Sequence, residues 1–181
     1  MRTPVAPFTG FLAVLALAIP LGGCGRDEEG TPEAVEGEPL HVGELIYNVA
    51  ITRFLNPNIV EDAAYLAGAP EEPPGMSYLG VFLRINNETD EEHRSANQYS
   101  IVDGSHRVYR PFDLETEFSL EVGAPVPSEG QIPAPDTVAA AGPTQGALLL
   151  YLVEDDVSEE RPLELKVDSV VDGEGLIELD I

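Results

Sequence analysis

The residue whose type and position point most clearly to a defined chemical event is Cys24, the only cysteine among the 181 residues. It closes the stretch Leu21-Gly22-Gly23-Cys24, which follows an apolar run and the helix-breaking Pro20. Small residues at this point let a peptidase grip the main chain. The apolar run is too short to cross roughly 30 Å of hydrocarbon as a permanent helix. We therefore predict that residues 1–23 are a cleaved signal peptide.

The four residues Leu21, Gly22, Gly23 and Cys24 resemble the lipobox of bacterial lipoproteins. In that family the cysteine receives a diacylglyceryl thioether, the signal is cut before it, and the new amino terminus can be acylated. The resemblance implies a lipid anchor on the extracytoplasmic face, because two or three acyl chains hold a protein at a membrane where one holds it only marginally. In a cell with two membranes, Gly25 in place of an aspartate implies the outer one. The alternative is an ordinary secretory signal followed by a stray cysteine.

No other set of residues predicts catalysis. The three histidines, His41, His93 and His106, lack the spacing of a zinc site, so no metal is predicted from them. Ser105 beside His106 lacks the strand-to-helix elbow that exposes a nucleophilic serine, and a hairpin turn is the preferred interpretation. The sequence thus predicts no catalytic residue and no cofactor, and the protein is expected not to be an enzyme.

Two groups of charged residues admit a binding interpretation. Acidic runs at 90–92, 154–156 and 159–160 offer oxygen ligands to calcium, but no Asp-x-Asp-x-Asp-Gly loop is present, so solvated strand ends are preferred and weak calcium binding stays open. Four arginines lie close together in sequence and could form one electropositive patch: Arg84, Arg94, Arg107 and Arg110. Pairing of each with nearby carboxylates is the preferred interpretation.

The chain is strongly acidic, with a formal net charge of −24 before cleavage removes Arg2. Such a surface repels nucleic acids and anionic lipid head groups. We expect no nucleic-acid partner, and we expect the lipid on Cys24 to supply the contact with the membrane. Residues 24–40 combine many carboxylates with Gly, Thr and Pro, which predicts a disordered tether.

From His41 onward, period-two alternation predicts short strands. Leu45, Tyr47, Val49 and Ile51 share one face of the first, and after it Asn58 could cap a short helical turn. The next strand, Tyr78 to Asn86, has one core face, while Phe82 and Arg84 on the other suggest partial cover.

The rest of the chain continues this pattern. A strand ending at Val102 turns at Asp103-Gly104-Ser105 and returns over Val108 to Phe112. Phe118, Leu120 and Val122 alternate, and the Pro-rich stretch 125–135 predicts no regular structure. Ala147 to Val153 is apolar on both faces and predicts a central strand, followed by strands around Leu165 and Leu179. Seven or eight such strands predict an all-β, antiparallel sandwich over residues 41–181.

Residues 41–181 also resemble the telokin-like, immunoglobulin-type domain of unknown function found in bacterial lipoproteins and in a secreted mycobacterial immunoprotective antigen. The features that carry the resemblance are Gly43 with the strand through Arg53, Tyr78 to Asn87, Val102-Asp103-Gly104 with Tyr109, and the Gly142–Gly146 turn with the strand to Val153. The resemblance implies an immunoglobulin-like sandwich and a surface role without a reaction. The chain departs from the family pattern in two respects. It has Tyr151 where the family commonly has phenylalanine, and it contains unusually many acidic residues.

Two functions are compatible with these features. The first is a non-enzymatic binding or adhesion module, held outside the membrane and recognising a protein, peptide or envelope component through loops or a sheet edge. The alternative is a carrier of a small ligand or of calcium that serves a transporter. A single sandwich lacks the two-lobed closure typical of such carriers, which favours the binding module.

Overall fold

The computed structural model describes residues 30–181, so the predicted signal peptide and the lipobox with Cys24 lie outside the described residues. Within this range the strands are β1 (Glu33–Val35), β2 (Leu40–Val42), β3 (Leu45–Leu55), β4 (Met76–Asn87), β5 (His93–Arg94), β6 (Gln98–Val102), β7 (Val108–Tyr109), β8 (Pro125–Val126), β9 (Gln131–Ile132), β10 (Ala147–Glu154), β11 (Glu164–Ser169) and β12 (Gly173–Glu178). Two short helices, α1 (Val60–Ala63) and α2 (Val138–Ala141), and a 3₁₀ turn at Val157–Glu159 complete the elements.

The strands form two main sheets that enclose the larger core. The first sheet has the order β1-β12-β11-β6-β7, and the second has the order β10-β4-β3-β2, with β9 added beside β4. All pairings are antiparallel except that of β1 with β12, and β5 with β8 forms a separate two-stranded ribbon. The prediction of an all-β, antiparallel sandwich is confirmed. Its principal core contains inward residues of both sheets, including Tyr47, Leu83, Ile101 and Leu165.

The first predicted strand changes face at a bulge. Leu45, Tyr47 and Val49 are buried as predicted, but the register of β3 against β4 shifts between Val49 and Ile51. Ile51 is consequently 39% exposed, and Thr52 takes the buried position. A bulge inserts one unpaired residue, so every side chain after it points to the opposite face.

Both faces of β4 are buried, which corrects the prediction of partial cover at Phe82. Phe82 lies in a second, smaller hydrophobic cluster on the outer face of the second sheet. That cluster contains Leu55, Tyr65, Tyr78, Phe82, Phe118, Ala139, Leu148 and Leu150. The segment after β3 and the segment before β10 supply the cover.

The predicted tether is wrong over its second half. Residues 33–35 form β1, and the main chain there bonds to β12: Leu176 N–H donates to Pro32 O at 2.9 Å, and Glu36 N–H donates to Glu178 O at 2.8 Å. Leu40 is 1% exposed in the core. The acidic composition does not prevent this because main-chain hydrogen bonds to a free strand edge require no apolar side chains.

Strand β10 is buried on both faces, as predicted, but it lies at an edge of its sheet rather than at the centre. Its outer side is covered by the segment that contains Phe118 and Leu120. The alternation there does not produce a strand: only one isolated bridge, Ser119 to Leu148, forms. Phe118 and Leu120 are nevertheless buried, while Val122 is exposed.

Three local predictions also change. Helix α1 begins after Ile59, with no side-chain cap; Asn58 instead donates its main-chain N–H to Asn56 Oδ1 at 2.9 Å. The returning strand after the Asp103 turn is only Val108–Tyr109. The Pro-rich stretch contains the two-residue strands β8 and β9. Strands β8 and β9 form by pairing with β5 and β4, which are distant in sequence and which local patterns do not encode.

Candidate interaction groove

Residues 110–123 form a loop that crosses from one sheet to the other and back. On its outgoing limb, Phe112 N–H donates to Leu150 O at 2.8 Å, and on the returning limb, Leu120 N–H donates to Leu148 O at 2.9 Å. Gly123 N–H then donates to Ala96 O at 3.0 Å, just before β6. The loop, here called the crossing loop, is therefore pinned to the edge of β10 in the second sheet and to the edge of the first.

A cavity of 710 Å³ lies between the two limbs of the crossing loop. Leu120 and Leu149 contribute buried apolar surface to it. Three carboxylates line it as well, those of Asp113, Glu115 and Glu121. Within residues 30–181 none of the three forms an ion pair, so the cavity combines apolar surface with uncompensated negative charge.

A second cavity of 520 Å³ lies against β6 and β11. Pro111 and Val122 line both cavities, so the two hollows are neighbours on either side of these side chains. We call the two hollows together the edge groove, which extends from the outer side of β6 to the crossing loop. Arg110 and Lys166 bring positive charge to the β6 end.

The β6 end of the groove presents unpaired main chain. Asn97 N–H donates to Asp168 O of β11 at 3.2 Å, whereas Ala96 O faces the other way and accepts from Gly123. Gln98 lies opposite Asp168 in the register of β6 and β11, and its main chain points towards β11. Because successive residues of a strand alternate in direction, the N–H and C=O of Tyr99 point away from β11. Strand β7 pairs only with Ile101 and Val102, so within the described residues Tyr99 has no main-chain partner on its outer side.

The two cations at this end differ in their partners. Lys166 pairs with Glu174 and approaches Asp168 at 3.9 Å; the hydrogen bond to Glu174 raises the pKa of the ammonium group. Arg110 is exposed and makes no ion pair or side-chain hydrogen bond within residues 30–181. Arg110 is therefore the unpaired charge beside β6, and the three carboxylates are the unpaired charges between the limbs of the crossing loop.

The Asp103 turn is a structural cluster. The fully buried Asp103 carboxylate accepts hydrogen bonds from Arg107 Nε at 2.6 Å, from Tyr109 Oη at 3.0 Å and from Ser105 N–H at 3.0 Å. Burial by itself raises the pKa of Asp103, but the hydrogen bonds from Arg107 and Tyr109 outweigh burial and lower the pKa from 3.8. Ser105 bonds to the Glu160 carboxylate and His106 has φ of 64°, both in keeping with a hairpin turn rather than a nucleophile.

The other residues singled out in the sequence do not converge on one site. Arg107 pairs with Glu154 and Asp156, as the pairing interpretation expects, but Arg84 bonds to the amide of Gln145 and Arg94 bonds to Gly123 O. His93 lies beside the hydroxyl of Thr89. No group of three or more His, Cys, Asp or Glu side chains in residues 30–181 is arranged to hold a metal ion.

A second buried ion pair supports the smaller core and has no signature in the sequence pattern. Arg53 Nη2 donates to Asp62 Oδ1 at 2.7 Å, and the guanidinium carbon lies 5.7 Å from the ring centre of Phe82. Asn56 N–H donates to the same carboxylate at 2.9 Å. Burial opposes ionisation of Asp62, but the hydrogen bonds from Arg53 and Asn56 prevail and lower its pKa from 3.8.

Comparisons with known proteins found similarity of the fold alone. No family model and no curated protein matches the chain. An uncharacterized β-sandwich protein from Clostridium difficile is similar over 83% of this chain and 95% of its own, with 12% identity and a TM-score of 0.48. The yjhA protein from Bacillus subtilis (81% and 99% covered, 11% identity, TM-score 0.48) and a conserved hypothetical protein from Bacillus anthracis (80% and 95% covered, 10% identity, TM-score 0.46) are similar to the same extent.

Within residues 30–181 no helix has the length and apolar character needed to span a bilayer.

Proposed function

We propose that this protein is a lipid-anchored, extracytoplasmic lipoprotein whose β-sandwich is a non-enzymatic interaction module of the cell envelope. The lipid is attached to Cys24, and residues 25–32 connect it to β1. The proposal includes the assignment of the sandwich as a telokin-like, immunoglobulin-type domain. The observation that supports a binding role most directly is the edge groove, which combines apolar surface with three carboxylates that form no ion pair within residues 30–181.

The position of β1 is compatible with anchoring. Strand β1 and the β6–β7 side are opposite edges of the first sheet. Three interstrand spacings lie between β1 and β6, which amounts to about 14 Å. The described chain therefore joins the first sheet at one edge, and the edge groove lies towards the opposite edge.

The anchor is tested by the change Cys24→Ser. Cells that express the natural chain or the variant are fed an alkyne-labelled fatty acid and are then separated into membrane and soluble fractions. The natural chain is expected to carry the label and to sediment with membranes, and the variant is expected to lack the label and to leave the membrane. An unlabelled natural chain would contradict the lipid anchor.

The binding role is tested by chemical cross-linking in intact cells, followed by mass spectrometry of the captured complexes. A defined envelope neighbour is expected in independent preparations. Repeated recovery of the protein without any defined neighbour would contradict an interaction module.

A further inference from the structure

We infer that the tip of the hairpin between β11 and β12 touches a bilayer of zwitterionic phospholipid, with Val170 and Val171 in contact with the acyl chains. The inference adds a membrane-contact surface to the proposed lipoprotein and rests on the proposed function, because the lipid on Cys24 brings the bilayer to the tip. It is carried by two exposed valines, by the hydrogen bonds that fix them and by the place at which the described chain begins.

The two valines are not explained by the folding of the hairpin. Ser169 pairs with Gly173, so the loop between them is Val170, Val171 and Asp172. Val170 is 80% exposed and Val171 is 88% exposed, so neither side chain belongs to a core. β-Branched residues favour strands, whereas small and polar residues dominate turns. Adjacent valines at the tip therefore expose apolar surface to water without stabilising the turn.

Hydrogen bonds hold the main chain of the tip in one conformation. Val170 N–H donates to Asn97 Oδ1 at 3.1 Å. Ser169 Oγ donates to Asp172 Oδ2 at 2.9 Å and accepts from Asp172 N–H at 3.2 Å. A loop that is already ordered loses less conformational freedom on binding than a loop that must first be ordered. The tip therefore presents both valines to a surface at a small entropic cost.

The described chain begins beside this tip. Gly30 lines one cavity together with Asp172 and Gly173, the residues that follow the two valines. Strand β1 then runs parallel to β12 and thus away from the tip. Cys24 lies six residues before Gly30, so their Cα atoms are at most about 22 Å apart. A lipid on Cys24 therefore keeps the tip within reach of the bilayer.

The charges around the tip determine which lipid surface fits. Asp172 and Glu174 are exposed next to the valines, Lys166 pairs with Glu174, and the whole chain carries a formal net charge of −24. Such a surface is repelled by anionic head groups, whereas zwitterionic head groups carry no net charge. The contact therefore fits zwitterionic phospholipid, and it orients a protein that the lipid on Cys24 already holds at the membrane.

The contact is tested with a tryptophan reporter, because the natural chain contains no tryptophan. Val171→Trp places the reporter at the tip. The matched control is Val108→Trp, an exposed valine opposite Val102 at the other end of β6, which is about 14 Å long. The lipidated protein is purified from membranes and reconstituted in phosphatidylcholine vesicles with brominated acyl chains. Bromine quenches only at close approach, so we expect quenching of Val171→Trp and none of Val108→Trp.

Two further changes in the Val171→Trp chain test the apolar and the charge arguments. Val170→Ser is expected to lower the ratio of inserted to free tip about tenfold, since burying a valine contributes about the free energy of a tenfold change, whereas Val108→Ser should have no effect. Replacing part of the phosphatidylcholine with phosphatidylglycerol is expected to weaken the quenching, and added salt should restore it.

Hydrogen exchange of the natural chain provides a readout without tryptophan. The main-chain amides of residues 170–172 are expected to exchange more slowly in the lipidated protein on vesicles than in the Cys24→Ser chain mixed with the same vesicles. The amides of residues 104–106, in the turn at the other end of β6, are expected to exchange equally in both samples.

Absence of quenching at Val171→Trp, equal quenching at both reporter positions, no effect of Val170→Ser, stronger quenching with phosphatidylglycerol or unprotected amides at the tip overturns the inference. The proposed function has a separate readout in the fatty-acid label. If the natural chain carries the label and the tip is not quenched, the lipid anchor stands and the membrane contact is wrong. If the natural chain lacks the label, the anchor fails, and the bilayer as the partner of the tip fails with it.

Discussion

Individual buried polar groups contribute unequally to this sandwich, and Asp103 illustrates the strongest case. Its carboxylate satisfies donors from three residues of one hairpin, Ser105, Arg107 and Tyr109. Removing it leaves buried donors without a partner, which costs more than the net gain of making a hydrogen bond.

We expect Asp103→Ala to lower the free energy of unfolding by about 3 kcal/mol, because several buried donors lose their acceptor. Asp156→Ala removes a carboxylate that is 57% exposed and contacts the same Arg107 at 3.3 Å, and it should cost less than about 1 kcal/mol. Urea unfolding of both variants gives the comparison. Equal losses would contradict the structural role assigned to Asp103.

The lowered pKa values of Asp62 and Asp103 predict how stability depends on pH. Both carboxylates ionise more readily in the folded chain than in the unfolded chain, where the pKa of an aspartate has its ordinary value of 3.8. As pH falls, the unfolded state takes up these protons first. The stabilisation is therefore complete above the unfolded pKa and is lost as pH falls through the lower, folded values.

Unfolding midpoints in urea, measured from pH 7 down to about pH 2.5, test this sign. The variant with Asp62→Asn and Asp103→Asn is expected to be less stable at neutral pH, and its midpoint should change less across the acid range. An unchanged acid dependence in the variant would show that other groups control it.

Two buried tyrosines provide a contrast between a paired and an unpaired hydroxyl. Tyr47 Oη accepts the Ala96 N–H at 2.8 Å, whereas the hydroxyl of Tyr151 has no hydrogen-bond partner within residues 30–181. Burial raises the pKa of both phenols, to about 12 for Tyr47. Tyr47→Phe should cost about 1–3 kcal/mol, since the Ala96 N–H is left unsatisfied, and Tyr151→Phe should be neutral or stabilising. Thermal unfolding of the pair measures this, and a larger loss at Tyr151 would refute it.

At its start, β10 lies very close to the main chain of β4. Gly146, immediately before it, has φ of +132°, and a Cβ there would lie 2.8 Å from the carbonyl carbon of Phe82. Gly68 also has positive φ, +82°, but nothing lies within 4 Å of its Cβ position. Substitutions at the two glycines therefore distinguish the effect of backbone strain from that of steric overlap.

Gly146→Ala should destabilise by about 3 kcal/mol, because the strain of positive φ and the overlap with β4 add. Gly68→Ala should cost only the backbone strain, about 1–2 kcal/mol. Denaturant unfolding distinguishes the two. Equal effects would mean that the approach of β10 to β4 is not tight.

The same elements show which parts of the fold sequence patterns predict. The apolar stretch of β10 and the alternation of β11 predict strands because their periodicity is uninterrupted. The bulge after Val49 has no signature in local alternation, so alternation alone places Ile51 on the wrong face. Strand β1 is missed by composition because its pairing uses main-chain atoms, which composition does not describe.

The candidate groove could not be predicted for a related reason. Phe118 and Leu120 do alternate, but their partner is the edge of β10, about thirty residues further along the chain. Asp113, Glu115 and Glu121 appear in the sequence as ordinary solvated charges. Only the crossing of the loop between the sheets brings them together with the apolar surface of Leu120 and Leu149.

The net charge of the protein, the edge at which the chain enters and the position of the groove are compatible with one another. A net charge of −24 keeps the body away from anionic head groups, so the proposed lipid on Cys24 carries the membrane affinity. The chain enters at β1, and the edge groove lies at the opposite edge of the first sheet. We expect the proposed lipoprotein to meet its partner at this groove.

Site-specific photo-cross-linking in intact cells tests whether the partner binds at the groove. A photoreactive amino acid replaces Glu117, an exposed residue of the crossing loop, in one strain, and Glu38, an exposed residue beside β1, in another. A single defined envelope partner should be captured from position 117 and not from position 38. Capture of the same products from both positions, or of none from position 117, would contradict the groove as the site of interaction.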